Sequence, residues 1–204
     1  MEQVVLPEFR SFNKIQRLNR TCLVTEKLDG TNGVIWINPD NPTELHAGSR
    51  NRWLSEGADN YGFYIWVQQN KPELLKLGPG YHYGEWWGVG IQRGYALSER
   101  RFSLFNTDRW EDPAVRPACC HVVPIIAREN LLDLDIKACL NLLSTQGSMA
   151  APGYKNPEGI VVFHYPGRTM YKVTLDGDGN KGTVTSGQVS AGDGNKGSVV
   201  SGGV

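Results

Sequence analysis

The sequence predicts an α+β fold of twisted antiparallel sheets flanked by helices, and three observations predict it. Short runs rich in Val, Ile, Tyr, Trp and Phe recur along the chain, bounded by Gly, Pro, Asn and Asp, which is strand and turn chemistry. Helical periodicity is confined to two stretches. No βαβ unit surrounds the glycine-rich segment 88–94, whose G-x-G-x-x-x-G spacing is not that of a dinucleotide loop, so a parallel sheet is not expected there.

Taken in order, residues 22–28 and 33–38 are β-type runs flanking Asp29-Gly30-Thr31-Asn32. Aspartate followed by glycine is a strong turn signal, so the two runs are expected to form a hairpin with Lys27 near its mouth. Residues 60–77 carry Tyr61, Tyr64, Ile65, Leu74, Leu75 and Leu77 at helical spacing, broken or begun again at Pro72. Strands are expected at 81–89, 102–105 and 121–126. A helix follows at 135–143, where Ile136, Leu140 and Leu143 share a face and Gly147 lies just beyond. Two last runs, 159–165 and 168–175, meet at Pro166-Gly167. Past Leu175 the composition changes, and Gly177-Asp178-Gly179-Asn180-Lys181-Gly182 returns as Gly192-Asp193-Gly194-Asn195-Lys196-Gly197. One domain over residues 1–175 and a flexible or weakly β-forming tail over 176–204 are expected. Asp176, Asp178 and Asn180 imitate the opening of a calcium loop, but no glutamate closes it.

Composition narrows the function. With 21 Lys plus Arg against 21 Asp plus Glu, the chain does not advertise a broad grip on phosphate backbones. Any nucleic-acid contact is expected to be local, at Arg10, Lys14, Arg17 and Arg20 or at Arg93, Arg100, Arg101 and Arg109, although a solvated basic face explains either group as simply. No apolar run approaches bilayer length and no leader pattern opens the chain, so no membrane partner and a cytoplasmic, unexported protein are expected. Cys22, Cys119, Cys120 and Cys139 show no C-x-x-C spacing and are expected as reduced thiols. His46, His82, His121 and His164 lack metal-ligand spacing, and no phosphate-loop motif is present.

The informative segment is Glu26-Lys27-Leu28-Asp29-Gly30-Thr31-Asn32, since lysine is an unusual residue between a β-run and a tight polar turn. It is followed in order by Ser49-Arg50, Tyr83-Gly84-Glu85-Trp86-Trp87-Gly88, the 102–105 run, Pro157-Glu158-Gly159-Ile160-Val161-Val162 and Tyr171-Lys172. The set resembles motifs I, III, IIIa, IV and V of the covalent nucleotidyltransferases. Asn32, where DNA ligases and capping enzymes carry arginine, resembles the RNA ligase 2-like branch. The resemblance implies the nucleotidyltransferase (ATP-grasp-like ligase catalytic) fold and an ATP-dependent RNA ligase working through a lysyl-AMP intermediate. It implies Lys27 as nucleophile, with Glu26, Asn32 and Arg50 toward nucleotide and phosphates and Glu85 on the ribose hydroxyls. It further implies Phe105 stacked on adenine, Lys172 on the α-phosphate and Glu158 at the metal, directly or through water. ATP and Mg²⁺ (or Mn²⁺) are the implied cofactors. The implied substrate is RNA with 5′-phosphate and 3′-hydroxyl ends, with DNA or a hybrid as alternative acceptors.

The chemistry demands such a set independently. An amine that attacks phosphorus must be neutral, whereas an ordinary lysine, with a pKa of ~10.4, is protonated at neutral pH. Cations near the amine favour loss of its proton and stabilise the transition state, and Arg50, Lys172 and Mg²⁺ are the candidates. Asp29 and Glu158 offer the hard oxygens that Mg²⁺ prefers. Bland readings compete: Lys27 as an exposed turn lysine, Trp86 and Trp87 as core aromatics on opposite faces, Phe102 in place of Phe105, and Arg52 in place of Arg50. A three-residue turn at Pro166-Gly167-Arg168 is expected, because it sets Lys172 opposite Val162 and on the face of Glu158 in a regular strand. Thr174 stands where the family usually repeats lysine, Asn106 where aspartate is common after the IIIa aromatic, and the further domain that ligases carry after motif V is not found after Lys172, where a protein partner could stand in its place. The other readings are a nucleotidyltransferase with GTP or another acceptor, and a non-catalytic nucleotide or nucleic-acid binding module.

Overall fold

Alternating burial along the strands sets the architecture. In the computed structural model, which describes residues 8–175 and 185–188, β1 (Thr21–Lys27) is buried on both faces, whereas β2 (Thr31–Ile37) alternates buried Gly33, Ile35 and Ile37 with half-buried Asn32, Val34 and Trp36. The remaining described strands are β3 (Leu45–Gly48), β4 (Gly80–Gly88), β5 (Arg100–Leu104), β6 (Cys120–Val122), β7 (Ile125–Asn130), β8 (Gly159–His164), β9 (Thr169–Thr174) and β10 (Thr185–Gln188). They form two five-stranded sheets, ordered β10-β9-β8-β1-β7 and β3-β2-β4-β5-β6. All neighbours are antiparallel except β5 and β6, which run parallel. Strands of this kind with few helices fit the α+β expectation.

The expected hairpin between residues 22–28 and 33–38 does not form. β1 pairs with β7 and β8, β2 pairs with β3 and β4, and Asp29-Gly30 carries the chain from one sheet into the other. Gly30 is required there by proximity: a Cβ on it would stand 2.4 Å from the Trp86 carbonyl oxygen and 2.7 Å from Trp87 Cβ. The 121–126 run also divides between the sheets, at Pro124. Val123 donates its N–H to Leu104 in the second sheet (3.1 Å), and Pro124 accepts from the N–H of Glu26 in the first (2.9 Å).

Each sheet has one face under helices. Helices α1 (Phe63–Gln69) and α2 (Lys71–Leu74), the latter with Pro72 in its first turn, contribute Phe63, Val67 and Leu74 to the core under Ile35, Ile37, Trp86 and Phe102. The short α3 (Thr107–Trp110) is capped by Asn106, which accepts from the Arg109 N–H. Helix α4 (Ile136–Gln146) starts at Asp135, whose carboxylate accepts from the Ala138 N–H (2.9 Å), and stops at Gly147 with φ 89°. It sets Cys139 and Leu143 against Cys22, Val24, Ile160 and Val162. A third cluster, Leu28, Trp87, Tyr95, Val123 and Ala151, fills the junction where the chain crosses between sheets.

Strands β8 and β9 correct the expected register. Lys172 lies opposite Val161, with Tyr165–Arg168 as a turn in which Arg168 donates to the Tyr165 carbonyl (3.2 Å). The four cysteines are free, and no helix among the described residues is long and apolar enough to cross a membrane. Of the repeat tail, only Thr185–Gln188 is described, paired with β9; the calcium-like segment lies outside the described residues.

Candidate active site

Lys27 ends β1 directly opposite Gly159, and its Nζ lies 2.6 Å from Glu158 Oε2, with side-chain exposures of 22% and 14%. Directly paired residues share a sheet face, so the row Lys27, Gly159, Thr174 and the next row, Thr25, Val161, Lys172, look the same way. The register that the turn was not expected to have therefore puts Lys172 on the face of Lys27. Glu158 joins that face because the strand is irregular at its start. Gly159 has φ 151°, and a Cβ there would lie 2.1 Å from the Val173 carbonyl oxygen. Only glycine fits, and the bend it permits breaks the alternation that the turn-length argument assumed.

Across the junction, Asn32, Glu85 and Ser103 lie side by side on β2, β4 and β5. Arg50 donates from Nε to Asn32 Oδ1 (3.0 Å), while Arg52 turns away to the carbonyls of Ala58 and Asp59. Of the two rival arginines, Arg50 is the one joined to the predicted set. Glu85 Oε1 accepts the Gly30 N–H (3.0 Å), and Trp87, on the same strand face, donates its indole N–H to Ser103 Oγ (2.9 Å). Trp86 points the other way, into the core under α1. Phe102 is fully buried in that core as well, whereas Phe105 is half-buried against the junction cluster with Leu28 and Trp87. Phe105 is thus the aromatic beside the lysine's crossing.

Burial raises the Glu85 carboxyl to about 7, against the opposing pull of Lys27 and the Gly30 N–H and with help from Glu158 and Asp29. A carboxyl whose folded pKa exceeds its unfolded value holds its proton more tightly when folded, so stability falls as pH rises from about 4.5 to about 7 and the whole penalty persists above. Glu85→Gln keeps an acceptor for Gly30 and removes that penalty. Thermal melts across pH are expected to show the variant more stable by roughly 2–3 kcal/mol above about pH 8, with no difference below about pH 4. A pH-independent gap would contradict this.

Several functional neighbours were not legible in the motifs. Asp29, expected near phosphate or metal, instead pairs its Oδ2 with Arg93 Nε (2.9 Å) and donates its N–H to the Tyr95 hydroxyl (2.8 Å). Tyr95 holds φ 52° and packs its ring 4.8 Å from both Trp87 and Tyr154. Arg93 and Tyr95 lie in or beside the segment 88–94, whose glycine spacing gave no sign of this contact. Glu26 points to the opposite side from Lys27, and its carboxylate accepts from Ser148 Oγ (2.6 Å) and from the N–H groups of Met149 (2.8 Å) and Ala150 (3.0 Å). It anchors the loop after α4 rather than facing the site directly.

Glu158 suits a divalent cation. It is a hard anionic donor at the lysine, and only one of its oxygens is hydrogen-bonded among the described residues. Asp29 suits one less well, being committed to Arg93.

The lysine thus ends one sheet beside Glu158, and the Asn32–Glu85 pair of the other sheet lies across the crossing. The chain belongs to the RNA ligase family, whose model matches residues 20–174. Solved structures agree on the fold. A variant of Naegleria gruberi RNA ligase solved with ATP and Mn superposes with a TM-score of 0.58 at 21% identity, covering 80% of this chain and 51% of that one. The same ligase solved with PPi gives 0.56 at 22% identity, covering 87% and 59%. The chain therefore spans between 51% and 59% of those ligase chains. No curated protein matches it.

Proposed function

We propose that the chain is the catalytic unit of an ATP-dependent RNA ligase, in which Lys27 accepts AMP and passes it to a 5′-phosphate. The observation that carries this reading is the Lys27–Glu158 contact at 2.6 Å, with Lys172 on the same sheet face and the Asn32–Glu85 pair across the junction. The family match supports it, as do the ATP and Mn, AMP and Mn, or PPi held by the Naegleria ligase structures.

The lysine sheds a proton, for which Glu158 is the adjacent acceptor. The neutral amine then attacks the α-phosphorus of ATP; an N–P bond forms and the bond to pyrophosphate breaks. Arg50 with Asn32, and Lys172, offset phosphate charge. Glu85 accepts hydrogen bonds from the ribose hydroxyls, and Phe105 stacks on adenine. Glu158 would hold Mg²⁺ or Mn²⁺, directly or through water, and an ion held there would supply charge neutralisation at the phosphates. An oxygen of an RNA 5′-phosphate next displaces Lys27 from AMP, and a 3′-hydroxyl displaces AMP to seal the strand.

Protein incubated with Mg²⁺ and α-phosphate-labelled ATP is expected to retain label after denaturation, to prefer ATP over GTP, and to seal 5′-phosphorylated nicked RNA. A folded protein, free of bound AMP, that takes no label from either nucleotide would refute the enzyme and favour a binding module. A preference for GTP would move the chain to another nucleotidyl transfer.

A further inference from the structure

The face of the second sheet that carries Asn32 and Glu85 does not end at the active site. Pairing arranges it in three rows: Asn32 with Glu85, then Gly48, Val34 and Tyr83, then His46, Trp36 and Tyr81. Trp53 bridges to Gly48 and lies over it, where a Cβ would meet the indole at 3.1 Å, so the glycine makes room for the ring. The result is a continuous aromatic surface open to solvent, with Trp53 52%, Tyr81 51% and Tyr83 38% exposed. Its rings are nearly parallel in sequence: Tyr83 and Tyr81 are 6.0 Å apart and 10° from coplanar, and Tyr81 and Trp53 are 6.4 Å apart at 26°. Trp36 joins Tyr81 at 6.2 Å and His46 at 5.7 Å. Five rings in mutual contact on one exposed face form the kind of patch that marks an interaction site.

We infer that this surface stacks the unpaired bases of the RNA strand whose end reaches Lys27, an inference that rests on the proposed function. The continuity is direct, since Tyr81, Tyr83 and Glu85 are alternate residues of β4 and Trp36, Val34 and Asn32 are alternate residues of β2. Charge orders the surface too. Arg50 stands at the row nearest the site, while the carboxylate of Glu44 sits at the far end, paired with His46 and Asn38. Arg50 therefore offers a cation to a phosphate of a strand lying on this face, at its end nearest the site. The chemistry favours bases over a protein helix, because Val34 is the only aliphatic side chain in the three rows and a helix docks through aliphatic anchors. Flat rings standing on a sheet offer faces to any base, whatever the sequence.

The test measures binding of a single-stranded, 5′-phosphorylated, fluorescently labelled oligoribonucleotide to the full chain at fixed salt, with lysine labelling from ATP followed in parallel. Trp53→Leu and Tyr81→Leu are each expected to weaken binding about tenfold, equivalent to about 1.4 kcal/mol. Trp53→Phe and Tyr81→Phe are expected to stay within about threefold of the native chain, because they keep a π face. All four are expected to label normally, which shows them folded. Leucine variants that bind as tightly as the phenylalanine variants overturn the inference and assign the face to a protein partner, and so does a native chain that labels but has no measurable RNA affinity. Ring-dependent binding by a chain that never labels upholds the stacking surface and fails the proposed chemistry instead.

Discussion

Replacing Lys27 by arginine is expected to abolish covalent labelling by α-labelled ATP while leaving the fold intact. Arginine keeps the positive charge and can still reach Glu158, so the ion pair at 2.6 Å has a substitute. It cannot lose its proton at any working pH, so it has no lone pair for phosphorus. Alanine is expected to abolish labelling equally but to disturb its surroundings more. It leaves the Glu158 carboxylate without its cation and removes the charge that holds down the proton affinity of Glu85. The two variants together separate nucleophile from electrostatic prop. A nucleophile predicts complete loss in both, whereas a lysine that merely organised the site would leave the arginine variant active. Label persisting in either, checked by intact-protein mass, sinks the mechanism.

What could be read in the sequence was what chemistry imposes locally. Lys27, Asp29, Gly30 and Asn32 are tied together by one short crossing, which sets Lys27 at the end of β1 and Asn32 near the start of β2. The helix over residues 136–146 was legible for the same reason, since its cap at Asp135 and its stop at Gly147 are local devices. The failures were all non-local. Asp29-Gly30 has hairpin composition, but its glycine answers to the Trp86 carbonyl on a strand far along the chain. The face of Glu158 depended on the backbone of Gly159, which in turn depends on Val173. Arg93 and Tyr95 reach Asp29 from a segment whose own motif pointed elsewhere.

Glu26 shows the same limit and yields the second large effect. Alanine at this position is expected to lower stability by about 3–5 kcal/mol and to depress lysine labelling with it. The carboxylate is buried, and it is the acceptor for three donors: Ser148 Oγ and the N–H groups of Met149 and Ala150. Without it, two part-buried backbone N–H groups beside the junction lose their partner, and a buried donor left unsatisfied costs about 1–3 kcal/mol. The loop they belong to carries Ala151 and Tyr154, which pack on Leu28, Trp87 and Tyr95, so its release loosens the wall next to Lys27. Burial also raises the proton affinity of Glu26 against those same hydrogen bonds, and a neutral amide of the same shape can meet the same three groups. Glutamine can turn its oxygen to the two N–H groups and donate its amide to Ser148 Oγ. Denaturant melts and ATP labelling are therefore expected to place Glu26→Gln close to the native protein and Glu26→Ala far below it. Equal loss in both would instead show that the negative charge itself is what the site requires.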